Sequence, residues 1–164
     1  MRRLVTARLD LEPLMRTHAR EMFAALSDPA IYLYTDEAPP VSVAALAERY
    51  AKLESRHSRD GSELWLNWVV REASSHEVAG FVQATVMANR SAYVAFVIAP
   101  SQQRKGYARE ATDVMIRELR ETYGAKSLLA NVDRRNVASI ALVKSLGFEE
   151  IPGADRPGDQ LYEA

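Results

Sequence analysis

The chain contains no cysteine, and that absence excludes disulfides, thiolate metal ligands and a cysteine nucleophile together. Its three histidines, His18, His57 and His76, stand far apart without metal-ligand spacing, so no metal site is expected. Charge of one sign is also lacking. The 21 basic residues face 22 acidic ones, a formal net of −1, which makes nucleic acid a poor partner. No apolar run approaches the roughly 18 residues that a membrane span requires. Met1-Arg2-Arg3 leads into alternation rather than a signal-peptide core, so a cytoplasmic location with no membrane partner is expected. No G-x-x-x-x-G-K-[ST] occurs, which disfavours a nucleotide hydrolase. With no internal repeat and no low-complexity segment, 164 residues fit one domain, 1–164.

What is present is ordinary for a globular protein, 48% hydrophobic and 26% charged. Residues 4–11 alternate as a half-buried strand, ended by Pro13. From about Arg16 the spacing of Met15, Ala19, Met22, Phe23 and Leu26 predicts an amphipathic helix that Asp28-Pro29 stops, with His18 on its wet side. Pro39 and Pro40 make 31–41 a loop rich in aromatics and carboxylates. Ser42 is the expected N-cap of a helix running to about Arg56. Residues 64–70 and 78–87 read as strands joined by a hydrophilic hairpin loop, and both tryptophans as sheet residues. A short strand is expected over 127–132. A helix over 136–146 is apolar on most of its circumference and therefore expected to be largely buried. A final strand pair brackets the turn at 152–158.

One stretch carries more information than the rest. Residues 94–98 read as a strand, 102–108 as a polar loop, and Ala108, Ala111, Met115, Leu119 and Thr122 line one face of a helix, opposite Arg109, Asp113, Arg117 and Arg120. A loop feeding a helix N-terminus is an anion site, because the first-turn N–H groups have no partner and the helix dipole is positive there. Gly106 allows close approach to the backbone. Glycine in such a turn equally serves plain turn chemistry.

Gln103-Arg104-Lys105-Gly106-Tyr107-Ala108 resembles the pyrophosphate loop of the GNAT acetyltransferases, Q/R-x-x-G-x-G/A. Downstream, Asn136-Val137-Ala138-Ser139 and Lys144-Ser145-Leu146-Gly147-Phe148 resemble that family's second signature, an Asn-led helix ending in Gly-Phe. The N-terminal layout is similar to the branch that includes the ribosomal-protein N-terminal acetyltransferases. The resemblance implies an α/β (α+β) fold: a mixed, mostly antiparallel central sheet with helices on both faces and a V-shaped splay between two parallel strands. It implies acetyl-coenzyme A as cosubstrate and a primary amine as acceptor, a small molecule or a protein N-terminal α-amine. The reaction it implies is direct attack in a ternary complex, without a covalent enzyme intermediate.

By the same resemblance the backbones of Phe96, Val97 and Ile98 hold the pantetheine arm, and one N–H near Val97 or Ile98 faces the developing oxyanion. The amides of 103–108 seat the pyrophosphate, with Arg104 and Lys105 as counter-charges. Arg104 stands where many relatives carry glycine. Asn136 would contact the cofactor arm, and Ser139 would meet the thiolate. Val143 occupies the position where many relatives place a proton-donating tyrosine, so Ser139 or water must replace it. A coenzyme A thiol with a pKa of roughly 8.5 leaves readily even so. Tyr93 stands near where some relatives carry a glutamate base. Asn131 and Asp133 follow the neighbouring strand and would hold a proton-accepting water, while Asp36 and Glu37 would attract a cationic amine. The missing tyrosine and the absent carboxylate base leave a second reading open, a non-catalytic acyl-coenzyme A-binding module. The terminal strands offer edges through which a homodimer would form.

Overall fold

The computed structural model describes residues 1–164. Eight strands form one sheet in the order β1-β2-β3-β4-β5-β6-β8-β7. They are β1 (Leu4–Val5), β2 (Leu9–Pro13), β3 (Glu63–Glu72), β4 (Val78–Met87), β5 (Ser91–Ile98), β6 (Ser127–Asp133), β7 (Glu149–Ile151) and β8 (Asp159–Glu163). The helices are α1 (Ala19–Leu26), α2 (Val43–Leu53), α3 (Tyr107–Glu121) and α4 (Val137–Ser145). Every strand pair is antiparallel except β5 with β6, as the mixed-sheet expectation requires.

Side-chain alternation divides the sheet into two faces. Leu66, Trp68 and Val70 of β3 belong with Val82, Ala84, Val94, Leu128 and Ala130 to a core closed by Ala111, Met115 and Leu119 of α3. Val69, Phe81 and Val97 face the other way, onto Met22 and Leu26 of α1 and Leu46 and Tyr50 of α2. Each fully buried Leu or Met contributes about 1.5–3 kcal/mol. The core therefore fixes which face of each strand is available to a ligand. Ser42 caps α2 as expected, its Oγ accepting from the Ala45 amide at 3.1 Å.

Two elements differ from the sequence reading. Residues 4–11 are not one strand. They bend at 6–8 into the β1–β2 hairpin, with Leu4 opposite Leu11. The bend grips the first turn of α3: Thr6 Oγ1 donates to Glu110 Oε1 at 2.5 Å, and Arg8 Nε donates to Glu110 Oε2 at 2.8 Å. Nor is α4 largely buried, since only Val143 is, and Val137 is 72% exposed. An apolar circumference shows that a helix can be covered on any side, not that the chain supplies the cover.

β4 carries one position that only glycine fits. Gly80, at φ 152°, sits against β5 so closely that a Cβ would lie 2.0 Å from the Val97 carbonyl oxygen. It stands beside the register shift in the β3–β4 ladder, where Val70 faces Gly80 and Arg71 faces Val78. Such a bulge increases local twist, here directly behind the end of β5.

Candidate active site

β5 and β6 pair only from Ser91 with Ser127 to Tyr93 with Leu129, although β5 continues to Ile98 and β6 to Asp133. The two strands separate beyond that point. The Ala99 amide donates to the Ala79 carbonyl at 2.9 Å, so strand alternation turns the polar backbone groups of Ala95 and Val97 toward β4 and those of Phe96 and Ile98 toward the gap. On the facing side, the Leu128–Ala164 and Arg134–Gly158 bonds commit the even-numbered residues of β6 to β8, which leaves the Asn131 backbone facing the gap. This corrects the assignment of Val97, whose N–H belongs to the β4 ladder. Phe96 and Ile98 hold the free positions, with the Ile98 carbonyl engaged by Gln103 Nε2 at 2.9 Å.

At the open end of the gap lies the polar loop. The amides of Arg104, Lys105, Gly106, Tyr107, Ala108 and Arg109 donate to no protein group, whereas that of Gln103 closes a turn on the Pro100 carbonyl at 3.3 Å. Arg104 and Gly106 both have left-handed backbone, φ 66° and 83°. Left-handed residues alternating with ordinary ones make a concave nest of N–H groups, a shape that binds anions. The position where relatives carry glycine thus needs glycine's conformation here too, and Arg104 adopts it at a cost of about 1 kcal/mol.

The side chains around the loop divide the work unexpectedly. Lys105 Nζ is turned back to Gln102 Oε1 at 2.8 Å and lies 5.5 Å from the Tyr107 ring centroid, so it braces the loop instead of extending toward the nest. Tyr107 is buried and its hydroxyl donates to Glu72 Oε1 at 2.5 Å. Arg8, which sequence reasoning missed, donates to the Lys105 carbonyl at 2.9 Å and stacks on Tyr107 at 5.1 Å. Its only signal was a cation within a strand pattern, and no local feature ties it to a loop nearly a hundred residues away. Arg104 and Arg109 are exposed.

α4 begins beside β6. Asn136 caps it, with Oδ1 accepting from the Ser139 amide at 3.1 Å, which leaves the Asn136 Nδ2 donors uncommitted. The Ser139 hydroxyl makes no bond back to the preceding turn and stays half-exposed. Val143 is only 1% exposed, so the position of the usual tyrosine lies within the core.

The remaining candidates fall into two groups. Tyr93 and Asn131 share a sheet face, since Tyr93 pairs with Leu129, and the loop before β8 brings Asp155 to both. Asn131 Nδ2 donates to Asp155, the Asp155 amide approaches Asn131 Oδ1 at 3.5 Å, and burial together with Asp155 pushes the Tyr93 phenol up. A phenol so placed is no base. Asp133 is held down at about 2 by its hydrogen bonds to the Arg135 guanidinium, 2.6 Å away. Asp36 and Glu37 are not free charges either: Asp36 pairs with Arg156 at 2.7 Å and Glu37 with Arg49 at 3.2 Å. Asp155 was missed because 152–158 reads only as a turn, and turn chemistry says nothing about which strand it folds over.

A cavity of about 300 Å³ opens between α2, the loop at 31–41 and the β3–β5 face, and Glu37 and Val97 are part of its lining.

Comparison with known proteins agrees with this geometry. The family model described as the Acetyltransferase (GNAT) domain matches residues 8–149. No curated protein matches the chain. Among solved structures, RimL, a ribosomal-protein α-N-acetyltransferase in complex with coenzyme A, superposes with TM-score 0.84 at 15% identity, covering 98% of this chain and 96% of that one. The spermidine N-acetyltransferase of Vibrio cholerae, in complex with coenzyme A and spermine, gives 0.77 at 22%, covering 96% and 94%. A GNAT-family acetyltransferase of Bacillus anthracis gives 0.80 at 15%, covering 99% and 98%. With its opened strand pair, its nest of free amides and a family match that spans both, the chain belongs to the GNAT acetyltransferases, enzymes that use acetyl-coenzyme A.

Proposed function

We propose that this enzyme acetylates a primary amine, either a small molecule or a protein N-terminal α-amine, by direct attack in a ternary complex at the gap between β5 and β6. The observation that carries this is the run of unpartnered amides from Arg104 to Arg109, continuous with the unpaired inner edge of β5. Free first-turn amides beside left-handed turns form a concave anion site at the positive end of the helix dipole. A long ligand with phosphates at one end and amides along its arm satisfies both sets together. The names of two structural relatives, one acting on a ribosomal-protein α-amine and one on spermidine, accord with amine acceptors.

When bound, acetyl-coenzyme A supplies a thioester whose carbonyl carbon the amine attacks and whose sulfur leaves. The chain's own groups do the rest. The nest at 104–109 takes the phosphates, with Arg104 adding charge. The Phe96 and Ile98 backbones align the arm like an added strand, and the Ile98 N–H stabilises negative charge on the carbonyl oxygen. Asn136 Nδ2 fixes the arm from the side of α4, and Ser139 Oγ holds a proton for the leaving group. Asn131 and Asp155, with Tyr93 beside them, hold the water that takes the proton from the amine. An α-amine with pKa about 8 is roughly ten percent neutral at pH 7, whereas a lysine amine is neutral only at about one part in 10³, and so weak a base suits the former. All 164 residues act as one domain, in the cytoplasm, and the free edges β1 and β7 are where two copies would pair. No helix is long and apolar enough to cross a membrane.

Thiol release across a panel of amines, run beside Ser139→Ala and Asp155→Asn, tests this. Ser139→Ala should slow turnover about tenfold or more, and unchanged turnover rejects its role as donor. Absence of acetyl-coenzyme A uptake in calorimetry rejects the whole reading.

A further inference from the structure

The cavity beside the gap has a chemistry of its own. Leu14, Leu46, Leu53, Phe81 and Val97 make its walls apolar, and three of the polar side chains that line it have no protein partner. Asn67 is 6% exposed, and its carboxamide has no protein partner; its only bond is the backbone carbonyl accepting from the Leu14 amide. Gln83 lies opposite it in register on β4 and is likewise unpartnered. Tyr50 is 4% exposed, with a hydroxyl that donates to nothing. No protein group bonds these three side chains and each borders the cavity, so a ligand that fills it must replace the hydrogen bonds they make to water.

The charges describe it further. The only ionisable pair lining the cavity is Glu37 with Arg49, already joined at 3.2 Å, and no uncompensated carboxylate remains. A polycation extended along apolar walls would lose its hydration with nothing in return. A single amine, neutral when it reacts, loses little. Asn67 and Gln83 each present a donor and an acceptor, the complement of a peptide-type amide. Val97 on the floor stands between Phe96 and Ile98, whose amides border the gap, so an amine at that end of the cavity is next to the thioester site.

Resting on the acetyl transfer proposed above, we infer that the acceptor is an α-amino amide with an apolar side chain, free or at the head of a peptide, and that Asn67 and Gln83 are the specificity-determining residues that hold its amide. The side chain fills the apolar part of the cavity, and the paired Glu37 and Arg49 at its mouth discourage a second charge.

The test measures thiol release at saturating acetyl-coenzyme A with leucinamide, a leucyl dipeptide, an aspartyl dipeptide, spermidine and isopentylamine, which has the apolar body without the amide. Leucinamide and the leucyl dipeptide should exceed spermidine and the aspartyl dipeptide in kcat/KM by about tenfold or more. Asn67→Leu and Gln83→Leu should each raise KM for leucinamide about tenfold, leave KM for acetyl-coenzyme A unchanged and affect isopentylamine much less than leucinamide. Gln83, the less buried, serves as the second variant if Asn67→Leu fails to fold. Preference for spermidine, or an equal loss for isopentylamine and leucinamide, overturns the assignment while acetyl transfer itself stands. No thiol release with any amine overturns both.

Discussion

Arg104 is held in a left-handed conformation, φ 66°, by a loop that needs that turn to aim its amides outward. Arg104→Gly should therefore raise the thermal midpoint of the free protein, by up to about 1 kcal/mol of stability, while weakening acetyl-coenzyme A binding through the lost cation. Thermal melts and calorimetry on one variant should move in opposite directions. Asn136→Ala removes the cap of α4, a loss of about 1 kcal/mol, and also raises the Kd for acetyl-coenzyme A if Nδ2 serves the arm. Asp133 gives a pH signature. Its carboxyl falls from an ordinary 3.8 to about 2 in the fold because Arg135 favours the charged form. A depressed folded value means that the stabilisation is whole above 3.8 and disappears as pH falls through 2. Asp133→Asn should thus lower the midpoint at neutral pH, as Arg135→Ala does, with the difference from the wild type closing as pH falls through 2.

At the scale of elements, the bulged β4 and the gap it adjoins are the decisive features. Gly80→Ala would force a Cβ to within 2.0 Å of the Val97 carbonyl oxygen, so β5 must shift. The expected outcome is a loss of about 3 kcal/mol together with loss of acetyl-coenzyme A binding, read by chemical denaturation and calorimetry. The strands and helices themselves were largely legible. Ser42 as a cap, the opposed faces of β3 and the Asn-led α4 all follow from spacing and side-chain chemistry. Other features were not. The bend at 6–8 depends on Glu110 of α3, a partner that no window of local sequence contains. The exposure of α4 reflects what the rest of the chain leaves uncovered, and periodicity measures only the helix's own composition.

For the whole molecule, ligand linkage supplies the broadest check. A cosubstrate that binds the folded form alone stabilises it by about 2.7 kcal/mol at a hundred times its Kd. For a chain of this length that raises the thermal midpoint by roughly 5–10 °C. Acetyl-coenzyme A should produce such a rise, and a mutation that closes the gap or disrupts the nest should abolish it.

The amino-acid sequence by itself determined the element types, the family resemblance and the loop that would bind phosphate, because periodicity, capping residues and a glycine turn are properties of neighbours along the chain. Only the tertiary structure decided that Phe96 and Ile98 rather than Val97 face the gap, that Lys105 braces the loop, that Asp36 and Glu37 are neutralised by arginines, and that Asp155 joins Tyr93 and Asn131. Those outcomes rest on hydrogen-bond register and on charge pairs between segments remote in sequence, and such quantities have no value until the chain has folded.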